Sequence, residues 1–293
     1  PRGGMPRLSG LVRQTPLIVM TRGQSLFTFE CFPDHIVELT AERIFDNGMR
    51  SHTPYDALND ERNMRAAVRA AKKVGLYTAG GVVYTVSPVH TDDYYARKTR
   101  ELVTLGVDAV YLKDASGLLT PERAKTLVPA IKAACGALPL HLHSHCLTGL
   151  APYTACRAVE LGVDVVHTAT SALANGASHP ATEWFTRNIR RGGFEVPVDL
   201  APVEEVADRL RFDHECAHLL DRGAGVFRRQ RACCDALLEQ VDLHDESVVA
   251  VPVEGERGLR IAVGQLTHHA LAVSGPDVNG SVVVDPAELG GLG

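Results

Sequence analysis

Three histidines occupy alternate positions in the segment LPLHLHSHCLTG, residues 138–149. If this segment is extended, His141, His143 and His145 share one face, because successive side chains of a β-strand point to opposite sides. Imidazoles arranged in this way can bind a metal ion. Histidines on strands also occur as hydrogen-bonded interior groups or as solvent-facing side chains, so the spacing alone leaves both interpretations open.

A lysine lies within another apolar segment, DAVYLKD at 108–114. Burying a charged amine is costly, so Lys113 is expected either to pair with Asp114 or another carboxylate, or to be neutral. A neutral amine that has captured carbon dioxide is an anionic carbamate, and a carbamate next to the histidines would be a metal ligand. Other polar residues follow the predicted strands at their carboxyl ends, namely Thr21, Arg22, Asp56, Asn59, Asp60, Tyr84, Thr85 and His167.

The elements that carry these residues alternate between short apolar strands and amphipathic helices. Strands are predicted at 17–20, 79–86, 108–114, 138–145 and 164–170, and helices at 35–48, 61–75, 92–106, 121–136 and 152–162. Thr120 and Pro121 form a typical helix start, with an N-cap followed by proline at the first helical position. The alternation predicts an α/β fold with a parallel sheet, either a (β/α) barrel or a doubly wound sheet, and in a barrel catalytic groups gather at the carboxyl ends of the strands.

Composition and charge exclude several functional classes. The chain has 293 residues, 45% of them hydrophobic, and a formal net charge of −5. This charge gives no basic surface for nucleic acid or for an anionic membrane. No apolar run is long enough for a membrane span, and the first residues lack the apolar core of a signal peptide, so a cytoplasmic location is expected. The seven cysteines include no C-x-x-C pair and are expected to be reduced thiols.

Five motifs in order resemble the carboxyltransferase domain of biotin-dependent enzymes: pyruvate carboxylase, the oxaloacetate decarboxylase α-subunit and the transcarboxylase pyruvate-binding subunit. These enzymes belong to the wider superfamily of metal-dependent lyases and aldolases that resemble HMG-CoA lyase. The resemblance covers residues 15 to 190, and the motifs are MTRGQSL (20–26), YDALNDERNM (55–64), VVYTVSPVHTDDYY (82–95), LKDASGLLTP (112–121) and HLHSHCLTG (141–149).

The resemblance implies a TIM barrel, of which about six of the eight units are visible, and a metal-dependent site. His143, His145 and a carbamylated Lys113 would bind zinc, manganese or cobalt, which accept imidazole and anionic oxygen ligands. Arg22 would bind the carboxylate of a small 2-keto acid through its guanidinium fork, and Gln24 and Tyr84 would also contact the substrate. The implied reaction is carboxyl transfer between carboxybiotin and pyruvate, or decarboxylation of oxaloacetate.

Several positions depart from the family's pattern. The first two strands of the family, including an aspartate ligand of the metal, have no counterpart in this sequence. The segment RSHTP at 50–54 replaces an apolar fourth strand, and a proline with four polar residues is expected to make a poor central strand. Ala177 replaces a threonine that moves a proton, and His179 replaces a glutamine. Cys146 replaces an aspartate, and it is expected to be a small buried residue or an additional metal ligand.

The C-terminal part of the chain has a different character. Residues 1–200 are expected to form the partial barrel, and residues 201–293 an α+β extension in which a helical segment at 203–241 precedes short strands at 247–266 and 280–285. No A-M-K-M biotinylation motif is found, so biotin would be supplied on a separate carrier protein. A homodimer is expected because dimers are usual in the family.

Three functional hypotheses remain. The first is a metal-dependent carboxyltransferase or decarboxylase that acts on a small 2-keto acid. The second is a lyase or aldolase of the same superfamily that makes or breaks a C–C bond without biotin. The third is a catalytically silent relative that serves as a scaffold or binding protein. The presence of bound metal separates the third hypothesis from the others, and dependence on biotin separates the first from the second.

Overall fold

The computed structural model describes residues 4–220 and 260–263 as alternating helices and strands. Seven strands are present in this part of the chain: β1 (Ile18–Thr21), β2 (Ser51–Pro54), β3 (Tyr77–Val83), β4 (Ala109–Asp114), β5 (Leu140–Ser144), β6 (Val165–Thr168) and β7 (Arg260–Val263). Eight α-helices accompany them: α1 (Gly4–Leu11), α2 (Asp34–Asp46), α3 (Arg65–Val74), α4 (Asp92–Thr104), α5 (Pro121–Cys135), α6 (Ala151–Glu160), α7 (Thr182–Arg191) and α8 (Leu200–Leu220).

The seven strands form one parallel sheet in the sequential order β1 to β7. A doubly wound sheet would reverse its order at a switch point, and this sheet does not. Each strand from β1 to β6 is followed by a helix, so six β/α units form a partial TIM barrel. The predicted fold class and the count of six visible units are therefore confirmed.

The expectation that residues 50–54 make a poor central strand was wrong. Ser51–Pro54 forms β2, pairs in parallel with β1 and β3, and is buried at all four positions. Two of the polar side chains form hydrogen bonds inside the fold: Nε2 of His52 lies 2.8 Å from Oγ1 of Thr21, and Oγ1 of Thr53 donates to Val19 O over 3.4 Å. Pro54 is the last residue of the strand, beyond the two residues that pair with β3, where the absence of an N–H is tolerated.

The sheet has two buried faces. The face toward the helices packs alternate strand residues, including Val82, Val110, Leu112 and Leu142, against α4, α5 and α6 in the largest apolar cluster. The concave face carries Ala79, Ala109 and Tyr111, with Met20 and Tyr55 packed against them. Because side chains alternate along a strand, Lys113 follows Tyr111 onto the concave face and Asp114 points the other way.

Local signals fix the ends of the helices. The hydroxyl of Thr120 accepts a hydrogen bond from the backbone N–H of Arg123, and Pro121 is the first residue of α5, as predicted. Gly75 ends α3 with φ of 85°, a left-handed conformation that glycine adopts without strain. The first signal ends the loop that follows the carboxyl end of β4, and the second begins the short connection from α3 to the amino end of β3.

The tail is only partly described. α8 (Leu200–Leu220) begins three residues before the predicted helical segment 203–241, overlaps its first half and packs near α7. β7 lies within the predicted strand segment 247–266 and pairs with β6. The other residues of those two segments, the strand predicted at 280–285, and Cys233 and Cys234 lie outside the described residues. The domain boundary near residue 200 stays a prediction. Among the helices that the structure describes, none is both long and apolar enough to cross a membrane.

Candidate metal centre

Two of the predicted ligands meet at the carboxyl end of β5. Nε2 of His143 and Nε2 of His145 are 3.2 Å apart, and their rings are inclined by 56°. His143 is buried, whereas His145 at the rim is half-buried. His141, two residues earlier on the same strand, lies deeper in the concave face, with its ring centroid 5.7 Å from that of His167. The histidine strand thus divides into a rim pair and an inner residue.

Lys113 lies on the adjacent strand, directly beside His143. The two Cα atoms are register partners of β4 and β5, and the amine Nζ is 3.0 Å from Nε2 of His143. The ion pair between Lys113 and Asp114, which was one of the expectations from the sequence, is not formed. The carboxylate of Asp114 instead accepts hydrogen bonds from Leu118 N, Leu119 N and Ser144 Oγ on the other side of the strand.

Burial changes the protonation of this group of residues. Burial, assisted by the positive charge of Arg22, lowers the pKa of Lys113 to about 7. Burial also lowers the pKa of His143 and that of His167 well below the ordinary value, with neighbouring positive charges adding to the effect. The neutral forms of the amine and the imidazoles are therefore favoured, and these forms carry the lone pairs that bind metal ions.

A third imidazole, which sequence analysis identified only as a departure from the family's pattern, joins the pair. His179 lies in the loop between β6 and α7 and is 2% exposed. One ligand atom from each of His143, His145 and His179 can be chosen so that all three lie within 4.8 Å of one another. The ring centroid of His179 is 4.2 Å from that of His143 and 5.0 Å from that of His145.

Backbone hydrogen bonds hold the loop that carries His179 against two strands. The N–H of Cys146 donates to Ser178 O over 2.9 Å at the end of β5. The N–H of Ala169 donates to Pro180 O over 3.0 Å at the end of β6. Both hydrogen bonds join backbone atoms, so no residue type in the sequence indicates them. The position of His179 therefore follows from the tertiary structure. Cys146 itself is buried, and burial raises the pKa of its thiol to about 11.

The donor set fits a divalent metal. Nitrogen atoms of three imidazoles lie within 4.8 Å of one another, and the amine of Lys113 lies 3.0 Å from one of them, that of His143. Imidazole nitrogen is a common ligand of zinc, cobalt and other first-row ions. In a tetrahedral zinc site with Zn–N bonds of about 2.0–2.1 Å, ligand nitrogens are separated by about 3.3 Å. The 3.2 Å between the two Nε2 atoms of His143 and His145 agrees with that separation.

A half-buried arginine lies on the same concave face, near Lys113. Nε of Arg22 donates a hydrogen bond to the hydroxyl of Tyr55 over 3.2 Å, and its guanidinium carbon lies 4.2 Å from the ring centroid of Phe29. The ring centroid of Tyr55 is 4.8 Å from Nζ of Lys113. Tyr55, which sequence analysis did not identify as a site residue, therefore connects the arginine to the metal-ligand cluster.

The two other predicted substrate residues are placed differently. Gln24 is half-buried close to Arg22 in sequence, and its amide nitrogen donates to Phe32 O over 2.5 Å and to Asp34 Oδ1 over 3.1 Å. The side chain of Tyr84 belongs to the apolar cluster between the sheet and the helices, 5.7 Å from the ring centroid of Tyr95. Because that cluster lies on the face opposite Lys113, Tyr84 is not brought together with the other candidate residues.

The chain is similar in sequence to several known proteins. The profile of the HMGL-like family matches residues 52–210. A pyruvate carboxylase subunit of Methanocaldococcus jannaschii is 40% identical over 197 residues, which are 67% of this chain and 35% of that protein. The methylmalonyl-CoA carboxyltransferase 5S subunit of Propionibacterium freudenreichii is 34% identical over 69% of this chain and 40% of that protein. This chain thus spans 35–40% of the length of these two relatives.

A solved structure extends the likeness to the fold. The carboxyl transferase domain of Rhizobium etli pyruvate carboxylase, determined with pyruvate and biocytin, is similar with a TM-score of 0.62 and 28% identity. The alignment covers 66% of this chain and 33% of that one. The resemblance inferred from the five sequence motifs is therefore confirmed.

Proposed function

Because this chain belongs to the HMGL-like family, we propose that it transfers or removes the carboxyl group of a small 2-keto acid at a divalent metal. Pyruvate and oxaloacetate are the substrates that we propose. The observation that carries the proposal is the convergence of Lys113 and His143 at 3.0 Å, with His145 beside them, on a concave face that also holds Arg22. The similarity to the pyruvate carboxylase subunit of Methanocaldococcus jannaschii supports the 2-keto acid class.

His143 and His145 would hold the metal through Nε2, and Lys113 would bind it as a carbamate. Zinc, manganese and cobalt all suit such a set of ligands. When bound, the metal supplies Lewis acidity that stabilises negative charge on the keto oxygen of the substrate. The contribution of the protein is to hold three side chains from two adjacent strands in one register, so that the ligands need little reorganisation.

Arg22 would bind the carboxylate of the keto acid. Its guanidinium carries a permanent positive charge, and its fork of N–H groups matches two carboxylate oxygens. The hydrogen bond to Tyr55 and the contact with Phe29 hold the guanidinium at the edge of the concave face. Gln24 remains a predicted substrate contact, and since its nitrogen is used within the loop, the contact would be made by Oε1.

We also propose that the carboxyl group is carried as carboxybiotin on a separate carrier protein. Exposed apolar side chains surround the carboxyl ends of the strands, on the loops that follow β2, β3, β4 and β5. They offer a surface on which a carrier could place an uncharged ring system near the metal ligands. They are Leu58, Val86, Val89, Leu118 and Leu147.

The decisive experiment measures metal content and activity together. Elemental analysis of the purified chain is expected to find close to one zinc, manganese or cobalt per chain, and the His143→Ala/His145→Ala variant is expected to lose it. The metal-loaded chain is then assayed for oxaloacetate decarboxylation with and without biotin. Activity that does not depend on biotin would favour the lyase or aldolase hypothesis. A folded chain that binds no metal would favour the scaffold hypothesis. A cytoplasmic location and a homodimer stay predictions.

A further inference from the structure

His179 is positioned as a ligand rather than as a space-filling residue. Its side chain is buried, and its ring is steeply inclined to those of His143 and His145, by 76° and 63°. Stacked rings would direct their nitrogens past one another. Inclined rings around a common centre direct a nitrogen from each ring toward that centre, as in a metal site with several imidazoles.

Backbone carbonyls determine which nitrogen of two rings carries the proton. Nδ1 of His179 lies 3.0 Å from Ser144 O, and Nδ1 of His145 lies 2.6 Å from Ala177 O. A carbonyl oxygen can only accept, so Nδ1 donates in both rings, and Nε2 of each neutral ring keeps its lone pair. A donated hydrogen bond from the second ring nitrogen is the usual support of a histidine that binds metal, because it fixes both tautomer and ring orientation.

The ring of His143 is also supported through Nδ1, but its partner is another imidazole. Nδ1 of His143 is 3.0 Å from Nδ1 of His167, so His143 can donate to His167 and direct Nε2 toward His145 and Lys113. Nε2 of His143 and Nε2 of His145 are 3.2 Å apart, and if both rings are neutral their lone pairs face one another and repel. A cation between the two nitrogens would attract both lone pairs. Without a metal ion, the same short contacts require a hydrogen bond in which Lys113 or one of the rings donates a proton to Nε2 of His143.

We propose that His179 is a third imidazole ligand, so that the metal is held by His143, His145 and His179 with Lys113 at a further position. This inference rests on the proposed function only in requiring that the chain binds a divalent metal. Three neutral ligands leave the positive charge of the ion uncompensated, so the carbamate and an anionic substrate oxygen would both be attracted to it. The loop between β6 and α7 then becomes part of the site, because His179 on this loop would bind the metal in addition to the loop's backbone hydrogen bonds.

The test compares metal binding in four versions of the full chain by competition with a chelator and by the visible absorption of bound Co²⁺. His179→Gln keeps a polar side chain but removes the imidazole, and His143→Ala removes a ligand that the proposed function already requires. His52→Gln is the matched control, because His52 is equally buried but is the register partner of Val19, on the helix-facing side of β2. We expect His179→Gln to weaken binding by at least about 100-fold, since loss of a mere supporting contact costs 10–100-fold, and to change the Co²⁺ spectrum.

A direct measurement does not depend on the folding of a variant. In the wild-type chain labelled with ¹⁵N at histidine, Zn²⁺ should shift the Nε2 resonances of three rings, including that of His179. The inference is overturned if His179→Gln keeps wild-type affinity and spectrum while His143→Ala loses the metal, or if only two rings respond to zinc. Failure of the wild-type chain to bind any metal would overturn the proposed function together with the inference.

Discussion

The amine of Lys113 and Nε2 of His143 lie 3.0 Å apart because β4 and β5 pair with these two residues in register. Both side chains occupy the concave face of the sheet, and both are buried. A shift of the register by one residue would send one of them to the helix-facing side, where Leu112 and Leu142 now pack. The register of two strands therefore determines whether a metal site can exist.

The first prediction concerns metal retention. Lys113→Ala is expected to lose most of the bound metal, because it removes the side chain that would supply the anionic ligand. Lys98→Ala is a suitable control, since Lys98 is also largely buried but pairs with Glu101 on α4. Elemental analysis of both variants after gel filtration measures the effect. Undiminished metal in Lys113→Ala would refute the ligand role of this residue.

The second prediction separates substrate binding from turnover. Arg22→Lys keeps the positive charge but removes the planar fork, so the KM for the keto acid should rise by about 10- to 100-fold, the equivalent of about 1.5–3 kcal/mol for hydrogen bonds to a charged group. We expect a smaller change in kcat. Arg65→Lys, at the exposed pair with Glu61, controls for the exchange of residue type. If kcat falls and KM is unchanged, Arg22 does not bind the ground-state carboxylate.

The third prediction concerns acid stability. Burial lowers the pKa of His52 from 6.5 to about 4, so the unfolded chain takes up a proton on this ring below about pH 6.5 while the folded chain does not until about pH 4. Stability is therefore fully present above pH 6.5 and is lost as the pH falls toward 4, by up to about 3 kcal/mol from this ring.

His52→Gln should consequently reduce the dependence of the free energy of unfolding on pH between 6.5 and 4, by about 1.4 kcal/mol per pH unit, the slope that corresponds to one proton. Urea denaturation of metal-free protein at several pH values measures this slope. His35→Gln, on the exposed side of α2, controls for the loss of an imidazole from the unfolded chain. An unchanged slope in His52→Gln would contradict the prediction.

The fourth prediction tests packing beneath the site. A Cβ added at Gly81 would lie 2.5 Å from Cζ of Tyr111 and 2.7 Å from Cβ of Tyr55, closer than side chains tolerate. Gly81→Ala should therefore destabilise the chain by about 1–3 kcal/mol, the usual cost of overpacking. Gly10→Ala is the control, because nothing lies within 4 Å of its added Cβ. Equal urea midpoints for the two variants would show that the tyrosines move aside easily.

Local sequence features determined much of the fold. Five strands were identified from apolar runs, and the start of α5 from Thr120 and Pro121, because these features depend on residues close together in the chain. The same holds for the shared face of His143 and His145, which follows from the two-residue period of a strand. β2 was misjudged because its polar side chains and Pro54 are acceptable only with neighbours that the sequence does not specify, such as Thr21.

The tertiary structure decided the composition of the site. Lys113 and His143 are 30 residues apart, and their contact depends on strand register, while the carboxylate of Asp114 was directed elsewhere by Leu118, Leu119 and Ser144. His179 reaches the histidine pair only because its loop is hydrogen-bonded to the ends of both β5 and β6. Tyr84 was excluded because its side chain falls on the helix-facing side. Contacts of this kind are nonlocal, so residue type and spacing alone could not have placed these side chains.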